Sequence, residues 1–246
     1  MLFRLRKSFK QKVMGCYVLI SIIIPCYNEE KTIAAILNKV ISVKLPEGIE
    51  KEVIVVDDKS LDKSYFIAWN FSPRIKTFRH RKNCGKGVAI ATGIKKSKGE
   101  FIIVQDADLE YNPEEYRLLI DCMLKNKADV VYGSRFINKK FSGRYYWGNK
   151  LITFVANVLY WNYGNMLSDV ETCYKLFRKE IFYRLDIKAY GFEFEPEFTA
   201  KCLKRGFKIY EVPISYNPRG FKEGKKIRIK DGVKAMLALI KYRFVD

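Results

Sequence analysis

The sequence predicts an α/β domain built around a mostly parallel β-sheet. Near-continuous Val and Ile runs at 18–25, 53–56 and 101–104 are typical of strands that are buried on both faces, as in a parallel sheet. Acidic residues closely follow two of these runs. At 246 residues and 48% hydrophobic content, the chain is long and apolar enough to form a single α/β unit.

The first two predicted strands each lead into acidic residues. Strand 18–25 is followed by a helical segment that opens near Glu29, and strand 53–56 is followed by Asp57 and Asp58. These two aspartates either cap the next helix or face a ligand, and the local sequence favours neither interpretation.

The third predicted strand, 75–78, precedes a glycine-rich turn. Residues 83–87 place Lys86 between two glycines, and a helix is predicted over 88–96. The turn either approaches a nucleotide or simply begins the helix. The Walker spacing of a phosphate-binding loop is absent, so the turn alone does not identify a phosphate site.

Asp106 and Asp108 come just after the fourth strand, 101–104, with one residue between them. Alternate side chains of an extended segment share a face, so both carboxylates can point the same way, and such a pair is poorly tolerated without a cation. A hard ion such as Mg²⁺ or Mn²⁺ suits these oxygen ligands. Ligands of open α/β sheets bind beyond the carboxyl ends of the strands, so we expect both acid pairs on one rim. A helix-capping role in the turn before 111–113 is the alternative.

The charge balance predicts an anionic partner. Lys and Arg number 46 against 27 Asp and Glu, for a net charge of +19, which suits a nucleotide, a nucleic acid or a membrane surface. Residues 1–17 carry five cations and no acid, with apolar residues at near-helical intervals, as in an interfacial helix. A basic stretch at 219–230 precedes a second apolar stripe, which either docks on the domain or contacts a membrane. This stripe consists of Val233, Met236, Leu237, Ile240 and Phe244.

The cysteines, the single histidine and the longest apolar stretches add three further expectations. The six cysteines form no CxxC pair and lie mostly in apolar runs, so we interpret them as reduced core residues of a cytosolic protein and expect no structural zinc. His80 lies among basic residues and is interpreted as a surface residue. The longest apolar stretches, 18–25 and 151–161, are shorter than the roughly 20 residues that cross a bilayer, so no transmembrane helix is expected.

Taken in order, five short motifs resemble family 2 glycosyltransferases of the GT-A fold, in particular the dolichol-phosphate mannose synthase and polyprenyl-phosphate hexose synthase group. The motifs are IPCYNE (24–29), VDDKS (56–60), NCGKG (83–87), QDADLE (105–110) and GSR (133–135). The resemblance covers nearly all of 18–244, and 168–178 and 192–197 look like its acceptor-side segments. It implies a GT-A, Rossmann-like domain with a mostly parallel, mixed sheet flanked by helices.

The resemblance also implies roles for individual residues. The nucleotide sugar would be held by Pro25, Tyr27, Glu29, Asp57, Asp58, Lys86, Asp106, Ala107 and Asp108. A metal ion, Mg²⁺ or Mn²⁺, would be held by Asp106, Asp108 and Glu110. Arg135 and Arg144 would meet the diphosphate leaving group, and we expect Arg135→Ala to slow transfer more than it disrupts folding. Asp169 would orient the acceptor or act as a base, with Glu193 and Glu195 as alternatives on what is otherwise a solvated edge.

The implied reaction is the inverting transfer of a hexose, mannose or glucose, from a nucleotide diphosphate sugar to a polyprenyl or dolichyl phosphate. A phosphate acceptor is already ionised, so it needs positioning and charge stabilisation more than a general base. One alternative is a glycosyltransferase that acts on a hydroxyl of a glycan or cell-surface polymer. The other is a basic nucleic-acid-binding protein, but no RRM, KH or helix-turn-helix pattern occurs and no nucleic-acid partner is expected.

We divide the chain into a basic amphipathic segment (1–17), a catalytic domain (18–218), and a basic loop with an amphipathic helix (219–246). Many members of the family carry a C-terminal membrane domain, and this sequence shows none. We therefore expect a cytoplasmic protein, peripheral on the cytosolic face of a membrane. Contact would be made with the anionic membrane surface directly, or through a membrane-protein partner.

Overall fold

The computed structural model describes residues 17–137, 144–220, 226 and 229–245. The side chains at 144, 145 and 229 are not part of this description. The predicted N-terminal amphipathic segment therefore lies outside the described residues, except for Tyr17, and so does the side chain of Arg144.

A seven-stranded sheet forms the centre of the described structure, with the strand order β3-β2-β1-β4-β6-β5-β7. All of its strands except β6 run in one direction. The strands are β1 (Val18–Cys26), β2 (Ile49–Asp57), β3 (Ile75–Arg79), β4 (Phe101–Val104), β5 (Val130–Ser134), β6 (Lys175–Arg178) and β7 (Ile209–Pro213). This mixed, mostly parallel sheet confirms the predicted fold class.

Both faces of the sheet are buried, which explains the near-continuous apolar runs. In β1, Ile20 and Ile22 face one hydrophobic cluster while Ile23 faces the other, and all three are fully buried. Strand β2 begins at Ile49 rather than at 53, because it pairs with β1 along its whole length from Val18 onward. Its first half is polar, so hydrophobicity alone did not predict that half.

Helices cover both faces of the sheet in the described part of the chain. They are α1 (Ile33–Ser42), α2 (Ser64–Phe71), α3 (Lys86–Lys96), α4 (Tyr116–Asn126), α5 (Arg144–Leu159), α6 (Lys179–Leu185), α7 (Phe194–Lys204) and α8 (Ile229–Phe244). Helices α1, α2 and α4 pack on one face, and α3, α5, α6, α7 and α8 pack on the other. Among these described helices, none is long and apolar enough to cross a bilayer.

Helix α8 docks on the domain mainly through residues outside the predicted stripe, of which only Met236 packs against the core among the described residues. Ala235, Leu239 and Tyr242 are buried in the same hydrophobic cluster as α5 and α7. The stripe residues Val233 and Leu237 stay more than half exposed. Docking and an exposed apolar row therefore coexist on this helix, because Ala235, Leu239 and Tyr242 on its other side make most of the contacts with the core.

Candidate active site

A cleft of about 350 Å³ opens at the rim of the sheet where β1, β2, β4 and β5 end. Most of the predicted site residues line it: Pro25, Tyr27, Glu29, Asp58, Lys86, Asp106, Ala107, Asp108, Glu110 and Arg135. The prediction that both acid pairs contribute to one rim is confirmed. Asp57 and Asp169 do not line the cleft but lie fully buried behind it.

Asp57 and Asp58 shape the rim through local hydrogen bonds. Asp57 is 3.0 Å from Arg79 Nε and accepts from the backbone N–H of Ser60, so it caps the turn after β2. Asp58 accepts from the backbone N–H groups of Cys84 (2.8 Å) and Gly85 (2.7 Å). Both carboxylates therefore hold turns, but neither caps α2, whose N-terminus has no side-chain cap, so the prediction that they cap the next helix is wrong.

His80 is part of this network, and its interpretation as a surface residue is wrong. Its Nδ1 lies 2.7 Å from Asp58 Oδ1 and its Nε2 lies 3.0 Å from Thr92 Oγ1, with 14% of the side chain exposed. The basic neighbours in sequence gave the wrong indication, because the ring turns inward from the end of β3 to reach two partners.

The glycines of the 83–87 turn allow α3 to begin against another backbone segment. Gly85 has a φ of +96°, and a Cβ on it would lie 2.3 Å from Tyr190 O. A Cβ on Gly87 would lie 2.4 Å from Ala189 O. Helix α3 therefore begins at Lys86, earlier than predicted, and this close approach aims Lys86 into the cleft.

Lys86 is the cation that pairs with Asp106, the first of the two acids after β4. Its Nζ lies 2.8 Å from Asp106 Oδ1 and 3.1 Å from Glu195 Oε1. Burial alone would lower the pKa of Lys86, but the Asp106 carboxylate raises it well above its usual value. Burial acts to raise the pKa of Asp106, and Lys86 lowers it in spite of that. The pair is therefore ionised, with Asp106 held at the cleft wall.

Glu195 is not on a solvated edge. It lies in the first turn of α7 and is buried beside Lys86. Glu193, the other acid in this segment, accepts hydrogen bonds from the backbone N–H groups of Tyr190 and Gly191. The alternation of acids and phenylalanines was misleading, because the segment is helical rather than extended.

A C-terminal strap, which we define as residues 214–220, supplies the cation for the other acids of the cleft. Arg219 Nη2 lies 3.0 Å from Asp108 Oδ2, and the same guanidinium makes two 2.9 Å hydrogen bonds to Glu29. Glu110 accepts hydrogen bonds from Tyr216 Oη (2.8 Å) and from the Arg219 backbone N–H (3.1 Å). Burial, together with the neighbouring carboxylates, raises the pKa of Asp108 to about 7.

Arg219 is absent from the predicted site residues, because in the sequence it is simply one cation of the basic stretch 219–230. One signal was available: β7 runs parallel to β5, so its carboxyl end reaches the same rim as the acids. Arg219 follows that strand by a few residues. Predicting β7 as a parallel strand would have placed its downstream segment at the cleft.

Arg135 and Asp169 form a buried ion pair. Arg135 donates from Nε to Asp169 Oδ2 and from Nη2 to Oδ1, both at 2.7 Å, and its backbone N–H also donates to Oδ2 at 3.0 Å. Asp169 is fully buried. Both of its oxygens are engaged, so Asp169 holds Arg135 against the cleft and does not itself line it.

Glu171 also lines the cleft, but it differs from the other acids in its hydrogen bonding and in its pKa. Its Oε1 is buried and has no hydrogen-bond partner within the described structure. Burial, followed by the charge of Glu195, raises the pKa of Glu171 to about 8. Glu171 is therefore largely protonated at neutral pH and can donate a hydrogen bond into the cleft.

The acids after β4 fit a hard divalent cation by chemistry, although they currently contact side-chain cations. Asp106, Asp108 and Glu110 offer only oxygen donors, and burial together with Asp106 and Glu110 raises the pKa of Asp108, so these acids favour a nearby cation. Elsewhere in the described residues, one trio of possible ligands, Asp58, His80 and Cys84, has donor atoms within 4.8 Å of one another. That trio includes a nitrogen and a sulfur donor, which suit softer ions. By donor type, the all-oxygen acids after β4 are therefore the better match to Mg²⁺ or Mn²⁺.

The described cysteines are free thiols, in agreement with the prediction of reduced cysteines. Cys26, Cys173 and Cys202 are buried, while Cys84 and Cys122 are partly exposed. Cys173 lines the cleft, where its Sγ lies 2.9 Å from Lys86 Nζ.

Comparison with known families gives one match that covers most of the chain. The model described as glycosyl transferase family 2 matches residues 21–186. This interval contains all five motifs that carry the resemblance, together with Asp169 and Glu171.

Two curated relatives carry names that describe lipid-phosphate glycosyltransferases. Dolichol-phosphate mannosyltransferase of Pyrococcus furiosus is 28% identical over 212 residues, which cover 84% of this chain and 58% of that protein. Dolichyl-phosphate β-glucosyltransferase of Trichomonas vaginalis is 29% identical over 242 residues, which cover 91% of this chain and 72% of that protein. The chain thus spans less than two thirds of the first relative's length.

Solved structures share the fold at low sequence identity. Glucosyl-3-phosphoglycerate synthase from Mycobacterium tuberculosis, in complex with Mn²⁺, uridine diphosphate and phosphoglyceric acid, has a TM-score of 0.72 at 17% identity, covering 98% of this chain and 83% of that chain. S. aureus TarS in complex with UDP-GlcNAc has a TM-score of 0.63 at 19% identity, covering 92% and 66%. These similarities confirm the GT-A architecture.

Proposed function

The chain belongs to glycosyltransferase family 2, and on this premise we propose that it transfers a hexose from a nucleotide diphosphate sugar to a polyprenyl or dolichyl phosphate. An oxygen of the acceptor phosphate attacks the anomeric carbon. The bond from that carbon to the diphosphate breaks, and the nucleoside diphosphate leaves with the electron pair. Family membership favours an enzyme over the nucleic-acid-binding alternative.

The state of the cleft carboxylates carries this proposal. Attack by a sugar hydroxyl needs a base that removes its proton, whereas a phosphate is already ionised. Among the described residues of the cleft, each acid is either paired with a cation or bonded to a hydrogen-bond donor, or, like Glu171, is protonated at neutral pH. Asp169, the candidate base, is buried and fully bonded to Arg135. This arrangement suits an acceptor that needs no base.

The roles of the cleft residues follow from their positions. Asp106, Asp108 and Glu110 would hold Mg²⁺ or Mn²⁺, which supplies charge neutralisation for the leaving diphosphate when it is bound. Arg135 presents its guanidinium at the cleft wall, where it suits bidentate contact with phosphate oxygens. Asp169 fixes the orientation of that guanidinium, so it is a positioning residue.

The donor half of the cleft lies at the ends of β1 and β2. Pro25, Tyr27 and Asp58 line it and would hold the base and ribose, with Glu29 held in place by Arg219. Lys86, at the start of α3 and next to the turn that Asp58 holds, would face the phosphates. Asp57 would support this half indirectly, through the turn that it caps.

A lipid-linked phosphate lies at a membrane surface, so the proposal includes peripheral attachment at the cytosolic face. The names of the two relatives support a dolichyl phosphate acceptor. The net charge of +19 supports attraction to anionic headgroups. The sugar is mannose or glucose, as in those names.

The test is a matrix of donors and acceptors with purified protein and Mg²⁺ or Mn²⁺. The donors are labelled GDP-mannose and UDP-glucose. The acceptors are a polyprenyl phosphate, the matching dephosphorylated polyprenol and a soluble glycan. We expect label in lipid only with the phosphorylated acceptor, and loss of transfer with EDTA. Equal transfer to the polyprenol, or transfer only to the glycan, would replace the proposal with the hydroxyl-acceptor alternative.

A further inference from the structure

Helix α5 carries a row of exposed apolar side chains. Trp147, Leu151, Phe154 and Val158 recur at i, i+4, i+7 and i+11, and Trp161 continues the row in the 3₁₀ turn that follows. These side chains are between 52% and 73% exposed, while the opposite side of the helix is buried in the core. A helix of a soluble domain normally turns its apolar stripe inward, so this outer row needs a partner.

Helix α8 carries a second row with the same spacing. Val233, Leu237, Ile240 and Phe244 are between 45% and 79% exposed, although the helix is docked through its other side. The helix is thus apolar on two faces. Docking on the domain uses only one of them.

The two helices lie side by side and run parallel. A Cβ on Gly232 would lie 3.9 Å from Ile152 Cδ1, and Tyr160 Oη donates to Leu239 O at 2.8 Å. Residues that are later in α5 thus lie beside residues that are later in α8. Both helices pack inward on the same hydrophobic cluster, so their outer rows lie on the same side of the domain. We call the two rows together the apolar face.

Cations border the apolar face. Lys150 lies on α5, and Lys230, Lys234 and Lys241 lie exposed on α8 beside its row. No acidic residue occurs from 144 to 168, and α8 contains one, Asp231. Cations beside an apolar stripe match an anionic lipid surface, in which the negative headgroups lie at the level of the lysines and the acyl boundary takes the apolar side chains.

We propose that the apolar face of α5 and α8 is the surface through which the folded domain lies on an anionic bilayer. A protein partner would need an apolar groove with an acidic rim. A bilayer that contains anionic lipids offers both properties over its whole area, without a specific shape. The exposed tryptophans at both ends of the α5 row also suit the headgroup region.

The apolar face begins close to the cleft. The meaning of this position for transfer to a lipid phosphate rests on the proposed function. Phe136 follows Arg135 of the cleft, and its ring lies 5.3 Å from that of Tyr146, which in turn lies 5.3 Å from Trp147. Lys150 Nζ lies 4.6 Å from the Phe136 ring centroid. The beginning of the apolar face is thus two ring contacts from the cleft, so an acceptor phosphate in the headgroup layer would be close to Arg135.

The first experiment measures binding to vesicles of phosphatidylcholine, with and without phosphatidylglycerol, by flotation. The test variant is Trp147→Ser with Phe154→Ser. Its matched control is Trp69→Ser with Phe66→Ser on α2, where both side chains are 59% exposed on the opposite side of the sheet. We expect the test variant to lose about tenfold or more in partitioning, and the control to match wild type. Thermal unfolding of each variant checks its fold.

A second pair of variants tests the cations. Lys234→Glu with Lys241→Glu should weaken binding to anionic vesicles by about tenfold or more at low salt, and the difference should shrink as salt rises. The control is Lys39→Glu with Lys125→Glu, exposed lysines on α1 and α4. Equal losses in both variants would mean that binding follows net charge alone, and this outcome would overturn the assigned surface.

Transfer assays separate the apolar face from the proposed function. The serine variant should keep its rate on a short, soluble polyprenyl phosphate and lose it on a vesicle-embedded one. Wild-type binding to vesicles by the serine variant would overturn the apolar face and leave the proposed function standing. Vesicle binding through the apolar face without transfer to any lipid phosphate would overturn the proposed function and leave the surface standing. A wild-type dimer that the serine variant breaks, with no vesicle binding, would assign the face to self-association instead.

Discussion

Two acid pairs follow buried parallel strands in this protein, yet their partners differ. Asp57 lies 3.0 Å from Arg79 Nε behind the cleft, and Asp58 accepts two backbone N–H groups. Asp106 and Asp108 face the cleft and pair with long side-chain cations, and Asp108 also accepts the backbone N–H of Glu110 at 3.1 Å. The same sequence pattern has therefore produced one pair that builds the rim and one that is available to a ligand.

The difference depends on how easily the partners can be exchanged. Backbone N–H groups belong to a turn and cannot move away without unfolding it, so Asp58 is committed to its position. Lys86 and Arg219 reach their acids through several rotatable bonds, and each cation has a second carboxylate within reach. Either cation can therefore release its acid when another cation arrives, which is the behaviour that a metal site requires.

The largest effect should come from the pair that faces the cleft. We expect Asp106→Asn or Asp108→Asn to lower the transfer rate by about 100- to 1000-fold, since either change removes an oxygen ligand and charge beside the leaving group. Thermal unfolding should change little. Asp121→Asn on α4, an exposed acid, is the control. Near-normal, EDTA-sensitive rates in both variants would remove this pair from the metal site.

Asp169 extends the comparison to an acid that is fully buried with a single cation. The sequence led us to expect that Arg135→Ala affects rate more than folding, but the structure changes that expectation. Removal of Arg135 leaves a buried carboxylate unpaired, so we expect a loss of about 3–5 kcal/mol in the free energy of unfolding. Urea unfolding measures it. The double variant Arg135→Ala, Asp169→Ala should recover part of the loss, and a single variant as stable as wild type would contradict the assigned pair.

The substitution Asp57→Asn tests the acid pair that builds the rim. It should lower the free energy of unfolding by about 1.5–3 kcal/mol, because hydrogen bonds to a buried charge are lost or weakened. The transfer rate per folded molecule should stay near wild type, since Asp57 does not line the cleft. Denaturant unfolding and initial rates are measured on the same preparation. The reverse result, full stability with lost transfer, would place Asp57 in the nucleotide site.

Arg219 tests whether the cleft acids have exchangeable partners. Without nucleotide, Arg219→Gln should bind Mn²⁺ about tenfold more tightly, because a competing cation beside Asp108 is gone; tenfold corresponds to about 1.4 kcal/mol. Electron paramagnetic resonance of free Mn²⁺ measures this directly. Arg117→Gln, an exposed arginine on α4, is the matched control. Unchanged or weaker binding would show that the strap does not compete for the site.

The last prediction concerns pH, through Glu171, which belongs to neither acid pair. Its pKa is raised from 4.5 to about 8, so between these pH values the folded protein holds a proton that the unfolded chain has lost. The groups that face it are Glu195, Lys175, Arg135 and Asp169. Below about pH 4.5 Glu171 is protonated in both states and does not change the free energy of unfolding with pH. As pH rises from 4.5 towards 8, Glu171 lowers the free energy of unfolding by about 1.4 kcal/mol per pH unit. Glu171→Gln should remove that slope from the pH dependence of unfolding; identical slopes would mean that Glu171 is ionised when folded.

Local sequence patterns predict β1, β3, β4 and the second half of β2, and they also predict that the acids after β2 and β4 meet on one rim. Buried parallel strands require apolar side chains on both faces, so runs such as 18–25 and 101–104 are visible locally. The one-rim prediction for Asp58, Asp106 and Asp108 then followed from strand direction. These features depend on neighbours within a few residues, or on a rule that holds for every open α/β sheet.

The partner of each acid, by contrast, depends on contacts between distant parts of the chain. Arg219 reaches Glu29 across 190 positions of sequence, and Lys86 reaches Glu195 from another helix. Likewise, periodicity predicted an apolar stripe on α8, but not that α8 docks through its opposite side beside an equal row on α5. Periodicity reports how residues repeat along one element. Contacts between elements depend on the path of the whole chain, and that path sets which charges and which apolar rows come together.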